Sequence, residues 1–180
     1  NSFGRSNESP MEIWKRAYQA IESANWVIDK VPATNMDAVR RDQILGEAYF
    51  LRAFFHFTLT KNFGSIVVKT SPTNSINNAL VGKSAIADVY KQIFDDLTKA
   101  AQLLPDYSAS LVKGRMWKQS AQLLHAKAAL YNESWADALA NAKAVIDSKK
   151  YTLVPSFADL FTAAKKDLAR QEVLFNVELN

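Results

Sequence analysis

Residues 46–64 read GEAYFLRAFFHFTLTKNFG. Tyr49, Phe50, Leu51, Phe54, Phe55, Phe57, Leu59 and Phe63 leave almost no polar side to a helix drawn through them. A helix that is apolar nearly all round belongs in the middle of a bundle. Three ionisable groups, Glu47, Arg52 and His56, nevertheless sit in the stretch. Burying an isolated ion costs several kcal/mol, so such charges must be paired or reach an edge. Glu47 shares a face with Leu51, Phe54 and Thr58, whereas Arg52, His56 and Thr60 form a separate stripe at steps of four. Glu47 and His56 therefore point to opposite faces and cannot act as an acid–base pair. The expectation is a structural charge network: Glu47 and Arg52 satisfied by neighbouring helices, with Arg115 or Lys118 as the partner of Glu47.

Working outward, helical periodicity dominates. Trp14, Ala17, Tyr18, Ile21, Asn25 and Ile28 make one stripe ending before Pro32. Asp37 caps the aromatic helix, which Gly64 ends near Phe63. A third helix follows Ser84, with Ile86, Val89, Tyr90, Ile93, Leu97, Ala100 and Leu104 inward and Pro105 as its stop. Residues 116–131 and 135–148 give a fourth and a fifth, and Trp14 and Trp135 lie on packing stripes. Residues 65–83 form a connection longer than compact domains usually carry, which points to function or disorder. Tyr151-Thr-Leu-Val and the run from Glu172 alternate as short strands do.

The helices also repeat. Trp135, Ala138, Ala142 and Val145 share the offsets of Tyr90, Ile93, Leu97 and Ala100, the latter set closed by Pro105. An aromatic, a small residue, packing positions and a closing Pro make the second-helix pattern of a tetratricopeptide-type hairpin. The expected fold is all-α, a tetratricopeptide-like helical-hairpin array with minor β strands near the C-terminus, over residues 1–180 as one domain.

Composition narrows function. The chain has 180 residues, a net charge of +4 and no Cys. Its basic residues are scattered, so no nucleic-acid footprint is indicated. Disulfides, thiolate zinc sites and cysteine nucleophiles are excluded. No apolar run approaches the roughly 20 residues of a membrane span. Asn1 opens the chain without an initiator Met or a signal-peptide core, which reads as a processed or cut-down piece.

The aromatic helix closely resembles the EA-x-FLRA…(Y/F)G helix of SusD/RagB-type outer-membrane nutrient-binding lipoproteins. WKRAYQAIESANWVID, VYKQIFDDLTKAAQLLP, GRMWKQSAQLLHAKAALYNESWADALANAKAVIDSKKYTL and the closing DLF…EVLFNVELN are similar to further segments of that family, in the same order. Trp117 stands where the family usually has Thr, and His125 interrupts its LLA. The resemblance covers the family's amino-terminal, tetratricopeptide-like half; a signal peptide, a lipid-bearing Cys and a second half would lie outside this chain. It implies a cell-surface, non-catalytic subunit, anchored to the membrane only through that lipid. Such a subunit holds oligosaccharide or another large nutrient over a SusC-like TonB-dependent outer-membrane transporter.

No catalytic constellation is read from the residues. The five glycines are isolated, so no phosphate loop is present, and His56 and His125 make no metal signature. Asp95 and Asp96 point about 100° apart on a helix, which rules against a dyad. No cofactor and no metal are expected. Sugar binding needs aromatic faces ringed by planar polar groups. Trp26 lies off its helix's stripe, and Trp117 follows the Gly114-Arg115 turn. Phe3, Arg5 and Asn7 at the N-terminus and Asn74, Asn77 and Asn78 in the long connection complete the ligand-binding candidates. The rival reading is a helical-repeat scaffold that binds a protein and no sugar.

Overall fold

The computed structural model describes residues 10–108, 114–162 and 172–173. Six α-helices are present among them: α1 (Pro10–Lys30), α2 (Ala38–Phe63), the short α3 (Ile76–Ala79), α4 (Ile86–Leu103), α5 (Lys118–Tyr131) and α6 (Trp135–Asp147). A 3-10 turn, Val31–Ala33, follows α1, and another spans Phe157–Phe161. None of the described helices is long and apolar enough to cross a membrane.

Local chemistry sets the boundaries. The Asp37 carboxylate accepts the Arg40 N–H at 2.9 Å and caps α2. Gly64 ends α2 at φ +71°, where a side chain is disfavoured, and donates its N–H to Thr60 O at 2.8 Å. Leu104, just ahead of Pro105, ends α4. At α5 the Ser120 hydroxyl accepts the Trp117 N–H at 3.3 Å.

Packing is sequential: α1 lies on α2, α2 on α4, α4 on α5 and α5 on α6. This neighbour-to-neighbour order, with a smaller contact from α2 to α5 where Phe57 meets Tyr131, is the helical-hairpin array, and α2 is its central beam. Phe50, Ala53, Phe57 and Leu59 of α2 are buried with Ile21, Val89, Ile93, Leu97 and Ala128 in one core. Gly46 lets α2 and the end of α4 meet: a Cβ on it would stand 2.8 Å from Leu104 Cγ. The α4 stripe is inward as read, save Ile86, which is 48% exposed at the first turn.

Two expectations are corrected. Residues 151–154 form no strand; the Val154 N–H goes to the Glu172 carboxylate at 2.9 Å in place of a ladder partner. The second expected strand lies, beyond Val173, outside the described residues. Trp135 is 62% exposed rather than core, because among the described elements α6 packs against α5 alone.

Candidate functional site

The connection between α2 and α4 carries no sheet and, apart from α3, no regular structure, so its backbone polar groups need other partners. They find them in side chains from α1 and α2. Tyr18 Oη donates to Val67 O at 2.8 Å and accepts the Val67 N–H at 3.0 Å. Burial raises the Tyr18 phenol above its ordinary pKa, against the lowering pull of that backbone bond, and keeps its proton in place. Asn25 Nδ2 donates to Lys69 O at 3.3 Å and Ser71 O at 3.1 Å. Arg52 Nη1 donates to Thr70 O at 3.0 Å and to Asn25 Oδ1 at 2.8 Å. The Glu22 carboxylate accepts from the Thr73 N–H at 2.7 Å and the Thr73 hydroxyl at 3.1 Å.

Arg52 and His56 thus serve the connection. The Arg52 charge is met by Asp96 of α4, whose carboxylate also takes the Gln92 amide at 2.9 Å. Burial pushes the Asp96 carboxyl above its usual range, while Arg52 and Gln92 pull it back. His56 is fully buried, and its Nε2 accepts the Lys69 N–H at 3.4 Å. Burial, with the Arg52 charge beside it, drives the His56 pKa down to about 3, so the imidazole is neutral at physiological pH. Glu47 lies on the other side of α2 and pairs with Arg115 at 2.6 Å. Burial raises its pKa and Arg115 lowers it again.

The pinned connection walls a groove along α1. It is open, about 780 Å³, and mostly apolar. Trp14 and Tyr18 supply its aromatic surface, their rings 4.9 Å apart. Gln19, Glu22, Lys69 and Thr73 add polar groups. Trp26, 40% exposed, stands one turn beyond Glu22 on the same face of α1, with Lys30 Nζ 5.4 Å from its ring.

The candidates separate accordingly. Asn74 and Asn77 are exposed at the tip of the connection. Asn78 is committed to the tip itself: it donates to Pro72 O at 2.7 Å and Asn74 Oδ1 at 3.0 Å, and accepts the Ser75 N–H at 3.2 Å. The Lys69 ammonium donates to its backbone carbonyl. Trp117 is buried, edge-on to Tyr107 at 5.9 Å, which removes it as a platform for ligand. Phe3, Arg5 and Asn7 lie outside the described residues. Gln19 and Glu22 were not anticipated; their only signal was position off the inward stripe of α1, whereas Trp14, expected to pack, lies against the core beside Phe63 and also lines the groove. His125 stacks on Phe94 at 4.9 Å, far in role from His56, and Asp95 turns outward to Lys91 at 2.7 Å while Asp96 turns inward.

Against this geometry, the family model described as starch-binding and associating with the outer membrane matches residues 2–130. The chain belongs to the SusD-like family. SusD-like protein P2 of Formosa agariphila is 27% identical over 98% of this chain and 35% of its own length. A SusD-like protein of Bacteroides fragilis superposes with a TM-score of 0.87 at 24% identity, over 94% of this chain and 34% of that one. A laminarin-binding SusD-like protein gives 0.81 at 29% identity, over 87% and 35%. The chain thus spans about a third of the length of these relatives.

Proposed function

We propose that this chain is the helical part of a non-catalytic, cell-surface glycan-binding subunit. Family membership supports the class, and the laminarin-binding relative supports glycan as the ligand. The observation that carries the reading on this chain is the α1 groove, aromatic on its surface and polar at its rim, against a connection held rigidly in place. A pyranose has an apolar C–H face and a polar equator; Trp14 and Trp26 offer faces for the one, and Gln19, Glu22, Asn74 and Asn77 hydrogen-bonding groups for the other. Binding without reaction needs nothing more. The subunit works at the outward face of the outer membrane, over a TonB-dependent transporter, releasing its glycan when it lifts from that partner.

The test is a tryptophan-fluorescence titration with oligosaccharides from starch, laminarin and xyloglucan. One class shifts the emission, and Trp26→Ala and Gln19→Ala each weaken that class about tenfold, or roughly 1.4 kcal/mol, without lowering Tm. If no class moves the emission or produces heat in calorimetry, the glycan reading is wrong for these residues.

A further inference from the structure

Charges along the α1 groove are spent unevenly. Helix α1 carries the acids Glu12, Glu22 and Asp29. Glu12 pairs with Arg16 at 3.7 Å and Asp29 with Lys30 at 2.9 Å. The Glu22 carboxylate is taken by the backbone N–H and hydroxyl of Thr73. The facing connection brings no acid: residues 64–85 hold Lys69 and Lys83 and neither Asp nor Glu. Two lysines line the groove, Lys15 and Lys69, and among the described residues neither has an acidic partner. Even with Glu22 counted as a full charge, the lining keeps a positive excess.

Lys69 is also unlike an ordinary surface lysine. It is half-buried, with its N–H on His56 and its carbonyl on Asn25. Its ammonium donates to the Asn78 carbonyl, which fixes the cation without neutralising it. An ammonium has three donors, and that bond uses one. The rotamer freedom that a loose lysine loses on gripping a ligand has here been lost on folding. Lys15 lies one turn before Gln19 on the same face of α1. Both cations therefore stand beside the aromatic surface of Trp14 and Tyr18.

We infer that the α1 groove prefers anionic glycans, saccharides carrying carboxylate or sulfate groups, and that Lys15 and Lys69 set the preference. The inference rests on the glycan reading of this groove and narrows its ligand. A charged sugar keeps the apolar C–H face that stacks on an aromatic ring, and its anion sits at the rim, where an ammonium can donate to it. Lysine acts as a point charge and lacks the planar fork of arginine, so carboxylate and sulfate can share the site. The net charge of +4 adds attraction at longer range.

The native polypeptide purified from the cell envelope is titrated, by tryptophan emission and calorimetry, with matched pairs of probes. One pair is oligogalacturonate and its carboxyl-reduced form; the other is sulfated and unsulfated laminarin oligosaccharide. At about 20 mM salt, at least one anionic probe binds about tenfold more tightly than its neutral counterpart, the order expected of one charge-assisted hydrogen bond. The ratio falls towards unity at about 1 M salt, where the screening length is roughly 3 Å. Lys15→Gln and Lys69→Gln each cut the ratio about threefold, whereas Trp26→Ala weakens charged and neutral probes alike. Lys15 is exposed, so its variant keeps the measurement decisive should Lys69→Gln loosen the tip. A preference confined to one pair supports the inference and names the anion. Neutral probes bound as tightly as their anionic partners, and still weakened by Trp26→Ala, overturn the inference and leave the glycan reading standing. A preference that both glutamine variants leave intact puts anion recognition elsewhere and overturns it too. If none of these probes binds, nor any oligosaccharide of starch or xyloglucan, the glycan reading fails and the inference falls with it.

Discussion

Arg52 grips Asp96 at two points, Nε to Oδ2 at 2.8 Å and Nη2 to Oδ1 at 2.6 Å, with side chains 4% and 0% exposed. The pair joins α2 to α4, and the remaining guanidinium nitrogen reaches Asn25 of α1 and the carbonyl of Thr70. One buried cation therefore ties three helices to the connection that walls the groove. Fork geometry explains why Arg stands here and not Lys: several directed donors are needed at once.

Removing the cation while leaving its partners buried is costly. Arg52→Met strands the Asp96 carboxylate and is expected to lower unfolding free energy by about 3–5 kcal/mol. Arg52→Met with Asp96→Leu recovers only part, because Asn25 Oδ1 and Thr70 O still lack their donor. Urea denaturation of the two variants and the parent decides this. A single variant within about 1 kcal/mol of the parent would show the pair to be dispensable.

His56 makes stability depend on acid. Its folded-state pKa of about 3 lies below the ordinary 6.5, so the unfolded chain binds the extra proton between those values. The stability it contributes is complete above pH 6.5 and is lost as pH falls towards 3. Between pH 7 and pH 5 the loss from this group is about 2 kcal/mol, at roughly 1.4 kcal/mol per unit once titrating. Burial lowers the His125 pKa as well, and that group acts in the same direction. His56→Gln keeps an acceptor for the Lys69 N–H and should flatten most of the slope in denaturation curves at the two pH values. An unchanged slope would place the acid sensitivity elsewhere.

Much of this was legible in the chain. Asp37, Gly64 and Pro105 bound helices that the apolar spacing alone marks, and the aromatic stretch around Phe54 could only be a central helix. For Glu47 the chain offers Arg115 or Lys118 near the start of α5, and the structure selects Arg115. Arg52 was harder. Its partner Asp96 lies 44 positions away, and nothing local distinguishes it from Asp95 beyond which side of α4 it takes. The anchoring of residues 67–73 was not legible at all, since it depends on α1 and α2 lying side by side. Trp135 misled for a related reason: its stripe is apolar, but spacing does not tell whether a neighbour is present to cover it.

Asn25 is the clearest test of the pinned connection. Its amide serves the carbonyls of Lys69 and Ser71 and accepts from Arg52, all from a position 1% exposed. Asn25→Ala removes these bonds and should cost about 1–3 kcal/mol. The specific expectation is local: amide hydrogens in residues 66–73 exchange faster, while those of α5 and α6, which the side chain does not touch, keep their protection. Uniform loss across the chain would mean that Asn25 supports the core generally and holds the connection no more than any other part.

Gly46 tests the close approach of α2 and α4. On an exposed helix, Gly to Ala stabilises by about 1 kcal/mol. At this position the new methyl would meet Leu104 at 2.8 Å from Cγ, 3.1 Å from Cδ2 and 3.1 Å from the backbone nitrogen. The Leu104 side chain can turn, but it is buried, and its backbone is held by the bond from its N–H to Ala100 O at 2.9 Å. Overpacking of this kind costs about 1–3 kcal/mol and outweighs the propensity gain. Gly46→Ala is therefore expected to lower stability, and Gly46→Ala with Leu104→Ala to relieve the clash at the expense of a cavity. Thermal unfolding of the three proteins measures both effects. A single variant more stable than the parent would mean that α2 and the end of α4 lie farther apart than the glycine implies.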